Sequence, residues 1–104
     1  MKPRFGLISL GFIASRHVKA IADVGGELTW ICDNEKSRLT EFCKQLVSKG
    51  LPPPPNATTC YWDIKDVDYI VICSPNYLHA DMMRFFIPKG VKIIVEKPAV
   101  INVK

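Results

Sequence analysis

The sequence has no pair of cysteines at the C-x-x-C spacing that zinc sites and thioredoxin-like motifs use. The four cysteines are spread along the chain, at Cys32, Cys43, Cys60 and Cys73. We therefore expect no metal site, and we expect buried free thiols in the reducing environment of the cytoplasm.

The sequence also has no long hydrophobic run. None of its apolar stretches reaches the ~18 residues that a membrane-spanning helix needs. The N-terminal MKPRFGLISLGFIAS has two positive charges before an apolar run, but that run contains two glycines. Because no A-x-A-like site follows, we expect neither a signal peptide nor a membrane partner.

Basic residues are present but are not clustered. The net charge is +4, and the basic side chains, Arg38 among them, are scattered along the chain. There is no run of about 5–8 basic residues with interleaved aromatics, so we expect no nucleic-acid partner. The charge is compatible with an anionic ligand.

The apolar residues form four short runs that are typical of buried parallel strands and three helical stripes between them. At 104 residues, 48% hydrophobic and 23% charged, the chain is expected to form one domain, residues 1–104. The predicted strands are Arg4–Leu10, Leu28–Cys32, Tyr69–Cys73 and Val91–Val95. The predicted helices are Phe12–Val24, Glu35–Ser48 and Tyr77–Ile87, with Asn34 and Asn76 as N-caps and Gly50 and Pro88–Gly90 as stop signals.

Alternating strands and helices predict an α/β fold, a doubly wound parallel sheet of four to five strands, Rossmann-like and truncated. Right-handed crossovers place the helices at 12–24 and 35–48 on one face of the sheet and the helix at 77–87 alone on the other. A thinly covered face and an open edge strand at 91–95 favour self-association, so we expect a homodimer that buries this face.

The connection around the proline run is too short for a complete fold of this type. Thr58–Tyr61 is a candidate third strand, but only six residues separate it from the strand at Tyr69. In a 3-2-1-4 strand order the chain must cross ~14 Å and descend ~15 Å, whereas six residues reach at most ~20 Å. We expect a very short or irregular third strand and no crossover helix after it.

The first candidate site is GLISLGFIA, where the first strand turns into a helix. The dinucleotide fingerprint G-x-G-x-x-G/A matches here with Ser9, Gly11 and Ala14. Gly11 allows close approach of a pyrophosphate, and Phe12 and Ile13 begin the helix whose free N–H groups would face it. The alternative interpretation is an ordinary strand-to-helix turn.

Asp33 follows the second strand, 22 residues after Gly11. That spacing suits the carboxylate that binds the adenosine ribose, and an acid there favours NAD, with NADP less favoured because a 2′-phosphate would be repelled. The alternative is a helix N-cap beside Asn34.

Two further motifs follow later strands. Ser74-Pro75-Asn76-Tyr77-Leu78-His79 comes where ligands of open α/β sheets bind, although Asn76 could simply cap a helix and His79 lie at its surface. Lys97, in Glu96-Lys97-Pro98, could stabilise alkoxide character beside a nicotinamide during hydride transfer. The alternative for Glu96 and Lys97 is a surface pair that ends an edge strand.

Together these motifs resemble the N-terminal Rossmann domain of the glucose–fructose oxidoreductase/inositol dehydrogenase family. The CSPNYLH motif is most similar to that of the branch that oxidises C3 of UDP-N-acetylglucosaminuronic acid. The resemblance runs from about residue 5 to residue 101. It rests on the Gly11 turn with Arg16-His17, on Asp33, on Ile72–His79 and on Glu96-Lys97-Pro98.

The resemblance implies an NAD-binding domain of a sugar oxidoreductase. It implies cofactor contacts from Gly11, Asp33, Ser74, Asn76 and Glu96. It also implies that Lys97 faces both substrate and nicotinamide and that His79 lies on the nicotinamide side.

The chain departs from the family in three ways. Ser9 replaces a common glycine, the segment from Pro55 to Val67 is too short for the usual helix, and the C-terminal substrate domain is absent. We therefore expect a cofactor-binding domain that is not catalytically competent alone. The alternative is a non-enzymatic, self-associating Rossmann remnant or regulatory module.

Overall fold

Five parallel strands form one sheet in the order β3-β2-β1-β4-β5, which confirms the predicted doubly wound arrangement. The computed structural model describes residues 2–10, 14–73 and 79–95. The strands are β1 (Arg4–Ile8), β2 (Glu27–Cys32), β3 (Asn56–Thr58), β4 (Tyr69–Ile72) and β5 (Lys92–Val95). The helices are α1 (Ala14–Asp23), α2 (Lys36–Ser48) and α3 (His79–Phe86).

The strand and helix positions agree with the prediction to within about two residues, where the structure describes them. β1 ends at Ile8 instead of Leu10 because Ser9 has a φ of 71°, which an extended strand does not allow. Gly50 ends α2 as predicted, with a φ of 77°, and the Leu51 N–H donates to the Leu46 carbonyl at 2.9 Å.

The predicted cap of α2 is wrong. Glu35, not Asn34, occupies the N-cap position, and its own side chain makes no capping hydrogen bond. The oxygen that accepts a hydrogen bond here belongs to Asp33, whose Oδ1 lies 2.9 Å from the Glu35 nitrogen. A carboxylate two residues before the N-cap residue Glu35 thus takes the place of the predicted amide.

α3 ends one residue before its predicted end at Ile87, and the predicted stop signal follows it. The helix ends at Phe86, and a 3-10 turn (Ile87–Lys89) carries the chain to Gly90, whose φ is 79°. The predicted cap at Asn76 lies outside the described residues.

The third strand is as short as predicted. β3 has three residues, Asn56–Thr58, and pairs with the end of β2, two residues earlier in the chain than the candidate Thr58–Tyr61. A 3-10 turn (Tyr61–Asp63) stands between β3 and β4 where a crossover helix would otherwise lie. The expectation of a missing helix is confirmed.

The two faces of the sheet have separate cores. On one, which we call the two-helix face, α1 and α2 cover the strands. Its buried side chains are Phe5, Leu7, Leu10, Val18, Ile21, Ile31, Leu39, Phe42, Leu46 and Val71. On the other, which we call the aromatic face, α3 and the segment at 61–64 cover the sheet. Its buried side chains are Ile8, Cys32, Ile64, Ile70, Ile72, Met82 and Phe86.

The expectation that α3 alone covers the aromatic face is therefore wrong. Ile64 is buried there and Tyr61 packs against the same core. The exposed apolar side chain on the sheet is instead Ile94 of β5, which is 42% exposed. Ile94 pairs in register with Val71, so it belongs to the two-helix face, beyond the reach of α1 and α2.

No helix in the described parts of the chain is both long and apolar enough to cross a membrane.

Candidate cofactor-binding site

The carboxyl ends of four strands meet at one edge of the sheet. Ile8 of β1 lies in register with Cys32 of β2 and with Ile72 of β4, and Ile72 with Val95 of β5. Each segment singled out from the sequence directly follows one of these four strands. In open α/β sheets ligands bind at this edge.

Asp33 is the buried charged residue at this edge. It is 3% exposed and is the one charged or polar side chain among the described residues that is buried. Its Oδ2 accepts a hydrogen bond from the Leu10 N–H at 2.9 Å, and its Oδ1 accepts one from the Glu35 N–H at 2.9 Å. The carboxylate thus connects the turn after β1 to the start of α2.

Ser9 stands where the fingerprint has its first glycine. Its φ of 71° lies in the left-handed region that glycine occupies without strain, which explains the family's preference at this position. A serine accepts this conformation at a cost of about 1–2 kcal/mol. Its N–H donates to the Cys32 carbonyl at 2.7 Å, and the next N–H, that of Leu10, then meets Asp33.

Arg38 is a site residue that reasoning from sequence missed. Its Nη1 lies 3.7 Å from Oδ1 of Asp33, and its side chain is 56% exposed. The basic residues are scattered along the sequence, so none of them was singled out. The available signal was position, since Arg38 falls in the first turn of α2, which begins three residues after Asp33.

Cys32 precedes Asp33 and is not a nucleophile. Burial, followed by the negative charge of Asp33, raises the pKa of its thiol to about 12. At neutral pH the thiol is protonated, and a protonated thiol reacts poorly. None of the four cysteines forms a disulfide, as predicted, but only Cys32 is buried; the other three are partly exposed.

No group of three or more His, Cys, Asp or Glu side chains that could hold a metal ion occurs within residues 2–10, 14–73 and 79–95.

Of the predicted site residues, the structure places Ser9 and Asp33 together at this edge. His79 begins α3, but its side chain is not among those described. The remaining predicted residues, Gly11, Phe12, Ile13, Ser74, Asn76, Glu96 and Lys97, lie outside the described residues.

Comparison with known proteins identifies the same kind of fold. Residues 3–104 match the family model GFO_IDH_MocA, described as an oxidoreductase family with an NAD-binding Rossmann fold. The WlbA (WbpB) dehydrogenase of Thermus thermophilus, solved with NAD and UDP-GlcNAcA, is 34% identical with a TM-score of 0.72. That match covers 96% of this chain and 34% of the dehydrogenase.

Two curated relatives match over nearly the whole chain. A glycosyl hydrolase family 109 protein of Shewanella pealeana is 32% identical over 96% of this chain and 24% of its own length. The scyllo-inositol 2-dehydrogenase (NADP(+)) IolU of Bacillus subtilis is 27% identical over 97% of this chain and 30% of its own length. The chain thus spans between 24% and 34% of the length of these relatives. It belongs to the GFO_IDH_MocA oxidoreductase family as an NAD-binding Rossmann domain.

Proposed function

We propose that this chain binds NAD across the carboxyl edge of its sheet and forms the cofactor-binding portion of a sugar oxidoreductase. The observation that carries the proposal is the buried Asp33 carboxylate, held by two backbone N–H groups between the pyrophosphate turn and α2. A carboxylate fixed in this way presents its remaining acceptor positions to a ribose without further ordering.

The acceptor capacity of Asp33 is sufficient for this role. An ionised carboxylate has about four lone-pair positions on its two oxygens. The Leu10 and Glu35 N–H groups use one on each oxygen, which leaves a position on each for a ribose hydroxyl.

The other cofactor contacts we propose follow from the sequence motifs. Gly11, Phe12 and Ile13 would receive the pyrophosphate beside Ser9. Ser74 and Asn76 would contact the dinucleotide beyond β4, and Glu96 beyond β5. These contacts are supported by the positions of the residues in the chain. The segments that contain them follow β1, β4 and β5, and those strands end at this edge of the sheet.

For the reaction, we propose hydride transfer between the nicotinamide and a sugar or nucleotide sugar. Lys97 would stabilise the developing alkoxide, and His79 would lie on the nicotinamide side. The names of the relatives support a polyhydroxylated ring as substrate, since they refer to a glycosyl hydrolase, an inositol dehydrogenase and a UDP-sugar complex.

We also propose that the 104-residue chain binds cofactor without turning over a sugar. The relatives it matches are about three to four times its length, and hydride transfer needs a site from which water is excluded. Measurable NADH production with UDP-sugar substrates, lost in Lys97→Ala, would contradict this.

Titration of NAD into the folded chain, followed by calorimetry, tests cofactor binding. In Asp33→Asn the amide NH₂ cannot accept a backbone N–H, so we expect NAD affinity to fall at least tenfold. The matched control is Asp68→Asn, because Oδ2 of Asp68 also accepts a backbone N–H, that of Arg4 at 2.8 Å, but at the opposite edge of the sheet. Absence of binding by folded wild-type protein at millimolar NAD would refute the proposal.

A second candidate function is self-association, and Ile94 on the open edge strand β5 favours it. An unpaired edge with an exposed apolar side chain is a surface on which a second copy can pair. We propose a homodimer through β5, in place of the aromatic face expected from sequence. Light scattering should give a dimer at high micromolar concentration and a monomer for Ile94→Lys; a monomeric wild type would refute it.

We propose a cytoplasmic location on the basis of the four free cysteines, which a reducing compartment would preserve. Fractionation of cells that produce the protein would test it, and recovery outside the cytoplasm would contradict it.

A further inference from the structure

The proline run between α2 and β3 forms an exposed ridge on the protein. Pro52, Pro53 and Pro55 are exposed, whereas Leu51 and Pro54 are half-buried. Burial thus repeats every three residues, which is the period of a polyproline II helix. Leu51 packs against the core of the two-helix face, so this side of the segment lies on the protein. The other two sides, one with Pro52 and Pro55 and one with Pro53, face solvent.

The covalent geometry of proline fixes this conformation before any partner binds. Each ring holds φ near −65°, and a residue that precedes a proline is restricted to extended or polyproline II angles. A polyproline II helix makes no internal hydrogen bonds, so its carbonyl groups remain available to a partner. The segment therefore loses little conformational entropy when it is bound, which is the property that makes such segments recognition motifs.

An apolar groove lies on each side of the ridge. The first, of about 450 Å³, separates the prolines from the end of α1, and Leu28 and Leu51 line it. The second, of about 590 Å³, lies against α2, with Cys43 and Val47 in its wall. Val47 is 60% exposed, and Pro53 lines both grooves. The aromatic side chains of a partner could therefore pack on either side of the ridge.

The side chains around the ridge are mainly basic. Lys2 and Glu27 line the first groove, and Lys44 lines the second. Lys49 stands three residues before Pro52. All of these charged side chains are exposed, and they sum to three positive charges and one negative charge. The surface is therefore complementary to a partner that carries acidic groups beside its apolar groove.

We propose that residues 51–55 are a docking ridge for an SH3-type domain, whose aromatic-lined groove takes PxxP segments in the polyproline II conformation. Pro52 and Pro55 are the two prolines of that pattern, and both are exposed on the same side of the segment. Acidic groups at the rim of the partner's groove meet Lys49. The Lys2 and Glu27 side chains beside the ridge belong to the amino edge of the sheet, so the partner leaves the cofactor edge open.

The alternative is that the prolines serve only as a rigid connection between α2 and β3. In that role every proline of the run acts by restricting the unfolded chain, so its replacement lowers the free energy of unfolding and affects no partner. In a docking role the exposed prolines matter for binding and the half-buried Pro54 does not. Comparison of prolines within the run therefore separates the two roles.

The experiment titrates a purified SH3 domain with an acidic rim into the isotope-labelled 104-residue chain and follows binding by NMR. Proline has no N–H. Binding is therefore measured from the amide signals of Gly50, Leu51 and Asn56, which flank the prolines, and from the methyl signals of Val47. We expect these signals to move in wild type while those of α3 stay in place.

The main variants are Pro52→Ala and Pro55→Ala. Each removes a ring that packs in the partner's aromatic groove, so we expect each to weaken SH3 binding about tenfold. The matched control is Pro54→Ala, which removes a ring from the half-buried side of the same run and should weaken binding less than about threefold. Urea unfolding checks that all three variants are folded.

A second pair of variants tests the charge and leaves every proline in place. Lys49→Gln should weaken binding about threefold and reduce its dependence on salt, because the lysine is exposed and its interaction is screened. Lys36→Gln removes the same charge at the opposite end of α2 and should change neither.

Four results would overturn the inference. They are unmoved signals at millimolar SH3 domain, signals that move at α3 instead of at the ridge, equal losses of affinity in the three proline variants, and equal effects of the two lysine variants. Equal losses among the prolines would show that they act only as a rigid connection. Ridge signals that move with protein concentration alone would show that a second copy of the chain occupies the ridge, which would also overturn the inference.

Discussion

The two faces of the sheet are covered in different ways. On the two-helix face, α1 and α2 cover the strands with a mostly aliphatic set of side chains that includes the ring of Phe42. On the aromatic face, where the crossover helix between β3 and β4 is missing, three rings take its place. Tyr61 meets Phe85 with ring centroids 5.7 Å apart, and Phe85 meets Phe86 at 5.0 Å, both edge to face.

The difference shows that a shortened connection can still close a core. Large rings bury more area per residue than aliphatic side chains, and edge-to-face pairs add about 0.5–1.5 kcal/mol beyond that area. Tyr61 belongs to the 3-10 turn, while Phe85 and Phe86 end α3. A few residues therefore cover the area that a helix would otherwise cover. Each of them should contribute more to the free energy of unfolding.

The largest expected effect comes from Phe86→Ala, compared with Phe42→Ala on the two-helix face. Both rings are buried, at 1% and 5% exposed, and both losses should cost about 3–5 kcal/mol of unfolding free energy. We expect Phe86→Ala to cost about 1 kcal/mol more, because it also loses its ring contacts. Urea denaturation measures both, with Phe→Leu at each site if the alanine variants do not fold. Equal costs would show that the aromatic cluster adds nothing beyond area.

A smaller effect should show how tightly the two-helix face is packed. A Cβ at Gly26 would lie 2.5 and 2.9 Å from two atoms of the Phe5 ring, which stacks on Tyr69 at 4.8 Å. Gly26→Ala should cost about 1–3 kcal/mol in thermal or urea unfolding.

The control for Gly26→Ala is the same substitution in a Phe5→Leu background. Removing the ring removes the clash, so the penalty should fall by at least half in this double-mutant cycle. An unchanged penalty would place the strain at Ile21, whose Cγ2 would lie 3.1 Å from the added Cβ, or in the backbone, instead of at Phe5.

The smallest effect is a pH dependence confined to the aromatic face. Cys32 has a pKa of about 12 in the folded state, against 9.0 as its ordinary value, so the folded state holds a proton that the unfolded state loses. Its contribution to stability is complete below pH 9 and declines as pH rises from 9 towards 12. At pH 10 the loss should be on the order of 1 kcal/mol.

Urea unfolding of wild type and Cys32→Ala at pH 8 and pH 10 measures this contribution, since groups common to both proteins cancel. A thiol reagent at pH 8 should modify Cys43, the half-buried cysteine on the two-helix face, before Cys32. Faster modification of Cys32 would contradict the raised pKa.

Most of the fold followed from local patterns. Apolar runs and helical stripes gave the strands and helices, and the short connection after the prolines predicted the reduced β3 and the absent helix. These features depend on sequence separation and on chain reach, which are visible without coordinates. The covering of the aromatic face by Tyr61 and Ile64 was not predicted, because a 3-10 turn has no periodicity to recognise.

The candidate site was likewise predicted only in part from the sequence. The spacing between the Gly11 turn and Asp33 identified the acid, but its partners are the Leu10 N–H, 23 residues away, and Arg38. Every residue except proline has a backbone N–H, so the sequence does not show which of them donates to Asp33. A surface arginine can be assigned a role only when its neighbours in the structure are known. Asn34 was predicted as the cap, with Asp33 named beside it as the alternative, and the structure gives the hydrogen bond from the Glu35 N–H to Asp33.

The sequence by itself therefore determined the order of elements, the parallel sheet and the family, because these depend on periodicity and on motif spacing along the chain. Only the tertiary structure decided that Asp33 connects the turn after β1 to α2, that Arg38 stands beside it, and that rings close the aromatic face. Those features depend on side chains that are distant in sequence and meet only when the strands align.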